Sequence, residues 1–278
     1  MENTKNSLEV PGATLYYEVV GNGPLLLCIS GGSGSADYWR PLVNQLKDNF
    51  TVAIYDRRGF SRSYLSATVD QDYEHRIETD ADDASALIKY LSPAEQPVKI
   101  LANSSGAVVS LVLLLRHPDL VDTLVCHEPP ALKVLPDRED LTAKQLDIYQ
   151  TYRRSGIPAA LKKFAALYKV KDAEFPIFQA SMDARRGPFV GQNSIYWFER
   201  EIPVYPLQDF DLQALAKYKK KLILAAGEDT DPSAPHYRAN ESLAKICAKE
   251  LTIVPGGHTG FATHPVEWAE ALIKIAPP

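Results

Sequence analysis

Apolar residues along the chain fall in short, nearly continuous runs separated by stretches with helical spacing. The β-rich runs lie at residues 13–20, 25–30, 50–55, 98–102, 120–126, 221–226 and 251–254. Between most of them, apolar positions recur at helical intervals and predict helices over 36–46, 76–91, 106–117, 235–249 and 265–275. Pro118 stops the third of these, because it disfavours helical backbone at the residue before it. Strands without a polar face must be covered on both sides. The alternation therefore predicts an α/β fold, a mostly parallel sheet between two helical layers. The runs at 13–20 and 25–29, joined across Gly21-Asn22-Gly23-Pro24, predict an antiparallel pair at the sheet edge.

The alternation breaks once. From residue 131 to 211 there are only helix-like pieces, at 141–154, 158–168 and 194–200, and loops carrying Pro176, Pro188, Pro203 and Pro206. The expected organisation is a core formed by 1–130 and 212–278, with a helical insertion at 131–211. The insertion is rich in Tyr, Phe and Trp. It reads either as a helical subdomain with its own small core or as a lid over a ligand cleft.

Composition narrows the function classes. The 278 residues carry 30 Lys+Arg against 35 Asp+Glu, a net charge of −5, with 45% hydrophobic and 23% charged residues. These ordinary fractions exclude wholesale disorder, a coiled coil and a collagen-like chain. The mild negative charge argues against nucleic acid as a partner, which requires a concentrated basic face. No apolar run is long enough to span a membrane, and the opening MENTKNSLEV lacks the pattern of a signal peptide. The expectation is a cytoplasmic protein, monomeric or homodimeric, acting on a small molecule. Cys28, Cys126 and Cys247 are far apart and in no metal-ligand spacing. They read as reduced core residues, and no metal or cofactor is expected.

The sharpest chemical signal is Ala102-Asn103-Ser104-Ser105-Gly106, where a strand runs straight into a helix. Such a turn strains its central residue and points that side chain out of the sheet top, and small neighbours two positions away keep strand and helix from clashing. This is the physics of G-x-S-x-G, here with Ala102 for the first Gly. Centring on Ser104 leaves Ala102 and Gly106 as the small flanks, whereas centring on Ser105 puts Asn103 in the crowded slot. Ser104 is the favoured nucleophile and Ser105 the competitor. Ser105 then opens the helix, with a backbone N–H free to face an oxyanion. Alone, the same turn equally describes a helix cap.

Two further loops add weight. His258 lies in the Gly-rich loop Pro255-Gly256-Gly257-His258-Thr259-Gly260, just past the run at 251–254. In a parallel sheet, ligands sit beyond the carboxyl ends of the strands. A serine hydroxyl needs a base there, and His has the suited ordinary pKa. An exposed loop histidine is the plainer reading, and His264 is the nearest competitor. For the acid that would orient His258 there are two sources, Glu128 or the pair Asp229 and Asp231, and either gives the chain order Ser, acid, His. Glu128 is favoured. It stands between the apolar run ending at Cys126 and the prolines Pro129-Pro130, where an unpartnered carboxylate would be costly.

The remaining Gly-rich stretch is Ser30-Gly31-Gly32-Ser33-Gly34, after the run at 25–30. Its glycines lack dinucleotide-fingerprint spacing, only Asp56 serves as a late acidic partner, and no Gly-Lys-Ser/Thr follows. The loop suits backbone N–H donation to an oxyanion, with Gly32 as the donor.

Taken together, the loop at 30–34, the segment Asp56-Arg57-Arg58-Gly59-Phe60-Ser61-Arg62-Ser63, the elbow at Ser104 and the Gly257-His258 loop resemble the α/β-hydrolase family in order and spacing over essentially the whole chain. The family usually begins the first loop with His-Gly, where this chain has Ser30-Gly31. Serine in the nucleophile slot is unlike the family's epoxide hydrolases and haloalkane dehalogenases, which carry Asp. Within the family, Ser104-Ser105-Gly106-Ala107 together with Cys126-His127-Glu128 resembles the group containing the zearalenone lactonases. That resemblance implies a Glu acid after the sixth strand of the fold's own count, matched by Glu128, and a substrate-holding Trp in the cap, matched by Trp197. The expected activity is hydrolysis of a carboxylic ester or lactone of a small apolar compound through an acyl-enzyme. A cofactor-free lyase or oxygenase, or a non-catalytic ligand-binding receptor, are the alternatives on the same scaffold.

Overall fold

In the computed structural model, which describes residues 4–32, 34–92, 96–171 and 175–278, nine strands join into one sheet. They are β1 (Thr4–Val10), β2 (Ala13–Gly21), β3 (Leu25–Ile29), β4 (Thr51–Tyr55), β5 (Tyr64–Leu65), β6 (Val98–Asn103), β7 (Val121–His127), β8 (Leu222–Gly227) and β9 (Thr252–Val254). Their order across the sheet is β1-β2-β4-β3-β6-β7-β8-β9, with the two-residue β5 added to β2. All pairs from β4 onward along this path are parallel, while β2 is antiparallel to β1, β4 and β5.

Strand periodicity explains the layers. In β3, Leu26 and Cys28 face one core and Leu27 and Ile29 the other; in β4, Val52 and Ile54 oppose Ala53 and Tyr55 in the same way. One face is covered by α2 (Arg76–Leu91), α3 (Ser105–Arg116), α8 (Leu212–Lys217) and α9 (Pro235–Ile246). The other is covered by α1 (Arg40–Leu46), α10 (Gly260–Thr263) and α11 (Pro265–Ile275). The central α3 is buried from Ser105 through Leu114, which is why its sequence is apolar all round. Cys28, Cys126 and Cys247 are buried free thiols.

The expected pairing of 13–20 with 25–29 is not made. β2 is antiparallel, but β4 lies between it and β3. A tighter hairpin wins: the turn Pro11-Gly12, with Gly12 at φ 76, joins β2 to β1 in register from Val10↔Ala13 to Thr4↔Val19. The β1 strand was not expected, because Thr4, Lys5, Asn6 and Ser7 give it no apolar run.

Between β7 and α8 lie, among the described residues, four α-helices: α4 (Arg138–Ser155), α5 (Ile157–Tyr168), α6 (Phe175–Ser181) and α7 (Val190–Arg200). Ile148, Ala160, Leu161, Trp197, Phe198 and Ile202 form a buried cluster there, closed from below by Phe60 of the loop after β4.

Candidate active site

Ser104 sits between β6 and α3 with φ 56 and ψ −129, a conformation that L-residues avoid unless their surroundings impose it. Space imposes it here. A Cβ on Gly106 would meet the Ile29 and Ser30 carbonyl oxygens at 2.4 and 2.5 Å, and one on Gly31 would lie 2.7 Å from the Ser104 Cβ. The Ser104 N–H donates to the His127 carbonyl at 3.0 Å, tying the turn to the neighbouring strand. The two serines differ in their hydroxyls. Ser105 is buried, and its Oγ donates to Glu201 Oε2 at 2.8 Å. Ser104 is half-buried.

His258 and Glu128 are in contact. Nδ1 of His258 is 2.6 Å from Glu128 Oε2, while Glu128 Oε1 accepts the Gly227 N–H at 2.9 Å. Glu128 itself has φ 49 and is fully buried. Asp229 and Asp231 are exposed, and the Asp231 carboxylate accepts the Ser233 N–H. No hydrogen bond joins the Ser104 hydroxyl to the His258 ring in this arrangement. What ties the two loops together is Asn103, which donates from Nδ2 to the His258 carbonyl at 3.0 Å and also lies 3.0 Å from His127 Nδ1. His264 lies 2.9 Å from the Thr263 hydroxyl, off this cluster.

Burial works against the Glu128 carboxylate. The surrounding histidine rings and the hydrogen bond from His258 outweigh it and hold its pKa well below the usual range. Burial pushes His127 down to about 4 and His236 down to about 3, so both rings are neutral at pH 7. His236 drew no functional reading from the sequence. It opens α9 as a buried ring, edge-on to His258 with centroids 4.6 Å apart and its Nε2 3.4 Å from Glu128 Oε2. The signal available was its place one residue after Pro235, a proline that starts a helix near the sheet top. Glu128, His236 and His258 each offer a ligand atom within 4.8 Å of the others, a set able to take a divalent cation.

The Gly-rich loop after β3 folds back on itself, Gly34 N–H donating to the Gly31 carbonyl at 2.8 Å. Ser33 lies outside the described residues. Arg57, fully buried, holds this loop from below, with Nε donating to the Ser30 carbonyl and a terminal nitrogen to the Gly31 carbonyl, both at 2.8 Å. Above it, the Trp197 indole lies so close that a Cβ on Gly32 would come within 2.3 Å of its Nε1. Sequence reasoning gave Arg57 no role; its signal was the charged pair Asp56-Arg57 directly after the apolar β4.

The Ser104 turn, Glu128, the His258 loop and the Gly-rich loop thus stand at the carboxyl ends of β6, β7, β9 and β3, all in the parallel part of the sheet. Residues 24–265 match the family model described as the alpha/beta hydrolase fold. The chain belongs to the α/β-hydrolase family. An uncharacterized hydrolase, YraK, of Bacillus subtilis (strain 168) is 31% identical to this α/β hydrolase over 277 residues, covering 98% of this chain and 96% of the relative. Among solved structures, a thermophilic esterase from Thermogutta terrifontis superposes with a TM-score of 0.72 at 18% identity, covering 99% of this chain and 98% of that one. The enol-lactonase from Burkholderia xenovorans LB400 gives 0.66 at 16% identity, covering 98% and 100%. At those identities the two structures speak to the fold of this α/β hydrolase. No helix among its described residues is long and apolar enough to cross a membrane.

Proposed function

We propose that this α/β hydrolase is a serine hydrolase that cleaves a carboxylic ester or lactone of a small apolar compound through an acyl-enzyme. One observation carries the reading: a buried Glu128 carboxylate 2.6 Å from His258, beside a serine held in the strained turn of a nucleophile elbow. Ser104 Oγ attacks the carbonyl carbon while His258 takes its proton, and Glu128 keeps the imidazole in the Nδ1–H tautomer and stabilises the imidazolium. The backbone N–H groups of Gly32 and Ser105 hold the oxyanion. Collapse of the tetrahedral intermediate expels the alkoxide, which leaves with the proton from His258. Water then gives a proton to His258 and attacks the acyl-enzyme, releasing the acid and restoring the Ser104 hydroxyl; with a lactone, acid and alcohol leave as one molecule. No cofactor takes part.

Residues 131–211 serve in this reading as a cap, and Trp197, lying against Gly32, is the cap residue that meets substrate. The aromatic cluster behind it, with Phe164 5.2 Å and Phe198 4.9 Å from Trp197 between ring centroids, supports an apolar acyl or alcohol group. A lactone of the zearalenone type is the specific candidate, resting on the Glu acid and on Trp197.

The test is labelling with a fluorophosphonate, peptide mapping of the adduct, and a panel of esters and lactones. The expected result is an adduct on Ser104, absent in Ser104→Ala, with release of acid from apolar esters and lactones faster than from short charged ones. Rapid labelling without turnover of any ester or lactone would move the protein to the lyase, oxygenase or receptor readings.

A further inference from the structure

Glu201 follows α7 in the segment proposed as the cap, yet its carboxylate lies buried in the core among residues that border both proposed oxyanion donors. Its Oε2 accepts the Ser105 hydroxyl at 2.8 Å, and its Oε1 is 2.6 Å from a terminal nitrogen of Arg57. That same Arg57 nitrogen donates to the Gly31 carbonyl at 2.8 Å. The Gly31 carbonyl and the Gly32 N–H are the two ends of one planar peptide unit, so a donor fixed on the oxygen fixes the direction of the N–H. Ser105 carries the other donor on its own backbone. One carboxylate from the insertion therefore fastens, through two contacts, the two peptide groups that must converge on an oxyanion. Arg57 cannot do this alone, because nothing in its contacts with the Ser30 and Gly31 carbonyls reaches the start of α3 except a 3.5 Å approach to Ser105 Oγ.

We propose that Glu201 is a positioning residue that aligns the oxyanion donors Gly32 and Ser105 through Arg57 and the Ser105 hydroxyl, and so makes catalysis depend on the docking of the insertion. This rests on the serine-hydrolase reading and adds to it a residue that touches no substrate. The role is one of alignment. Donors of this kind act only when aimed at the place where charge develops, so misalignment lowers turnover more than ground-state binding. The charged and titratable groups facing Glu201 are Arg57 from the loop after β4, Arg76 and Asp80 from α2, and Tyr205. Burial raises the Glu201 pKa to about 7, against the pull of Arg57, so the ion pair that fastens the loop is lost just below neutrality. This places a protonation of Glu201 on the acid side of the rate profile.

The experiment uses the full chain and a chromogenic apolar ester, with Glu201→Gln, Ser105→Ala and Tyr205→Phe as variants. Tyr205→Phe removes the 2.7 Å hydrogen bond to Asp80 Oδ2, which also accepts from the other terminal nitrogen of Arg57 at 2.9 Å, but leaves the Glu201 and Gly31 contacts of Arg57 in place, and serves as the stability control. Glu201→Gln and Ser105→Ala are each expected to lower kcat tenfold or more with KM within threefold. The double variant should be no worse than the stronger single one, because both cut the same tie. Glu201→Gln should also make the acid side of the kcat profile shallower than in wild type, whereas Tyr205→Phe lowers Tm and leaves kcat alone. Retention of kcat within twofold in both Glu201→Gln and Ser105→Ala, with wild type active, overturns this inference alone. If Glu201→Gln does not fold, Ser105→Ala decides by the same limits. A wild type that neither turns over esters or lactones nor is labelled at Ser104 overturns the serine-hydrolase reading, and this one with it.

Discussion

Replacing Glu128 by Gln asks the most direct question of the proposed chemistry. The substitution keeps the shape of a fully buried side chain and, with its oxygen toward Gly227, keeps that 2.9 Å hydrogen bond. The amide nitrogen then faces His258 Nδ1 at the position where a carboxylate oxygen stood 2.6 Å away. A nitrogen donor there forces Nδ1 to accept, so the ring proton moves to Nε2 and the base is held in the wrong tautomer. The charge is lost as well. For unit charges about 4 Å apart at an effective dielectric of about 20, the attraction is ~4 kcal/mol, and each 1.36 kcal/mol is a factor of ten, so the imidazolium alone loses about three decades of stabilisation. In the serine-protease triad the equivalent Asp→Asn change costs about 10⁴ in kcat. The expected result for Glu128→Gln is thus a fall in kcat of ~10³ to ~10⁴ with a folded near-UV spectrum, measured by steady-state hydrolysis of a chromogenic ester. A kcat within tenfold of wild type would refute the reasoning, and a large loss in Asp229→Ala instead would relocate the acid.

Three other outcomes follow from the same geometry. Ser104→Ala should lower kcat by at least ~10³ without loss of Tm, since triad members act as a unit; normal turnover in Ser104→Ala together with complete loss in Ser105→Ala would shift the nucleophile by one residue. Gly32→Ala places a methyl group 2.3 Å from the Trp197 indole, and overpacking of this sort costs about 1–3 kcal/mol; chemical denaturation should show that loss together with a lower kcat. Glu201 has its folded pKa raised to about 7, above its ordinary value, so the folded state holds the proton more tightly than the unfolded chain. Its contribution to stability is present in full at acid pH and is lost as pH rises through about 7. The stability of wild type relative to Glu201→Gln, whose amide has no proton to lose, should therefore fall between pH 5 and pH 8. A difference that stays flat or grows with pH contradicts this.

Local pattern made most of the scaffold legible. The helix expected over 76–91 is α2, Arg76–Leu91, and that over 265–275 is α11, Pro265–Ile275, because each has an apolar stripe of regular spacing, and α11 also opens on a proline. Expectation failed where long-range contact decides. β1 is a strand because β2 pairs with it, and its own residues argue against it. The site divides in the same way. The turn at Ser104 and the loop at His258 carry their signals within a few residues, as small flanks and glycines at strand ends. Glu201 reaches Ser105 across 96 residues of chain, His236 is covered by Tyr168, whose ring stacks on it at 5.7 Å, and neither contact leaves a local trace.

The four α-helices described between β7 and α8 also divide the chain in an informative place. Ser104 and Glu128 are encoded ahead of them and His258 after them, 130 residues beyond its acid. Under the proposed assignment, a polypeptide severed within the insertion would yield a fragment bearing nucleophile and acid and another bearing the base, each inert alone. Rejoining them would require the parallel β7–β8 seam, Leu124↔Leu222 to His127↔Ala225, to re-form before serine, acid and base stood together again.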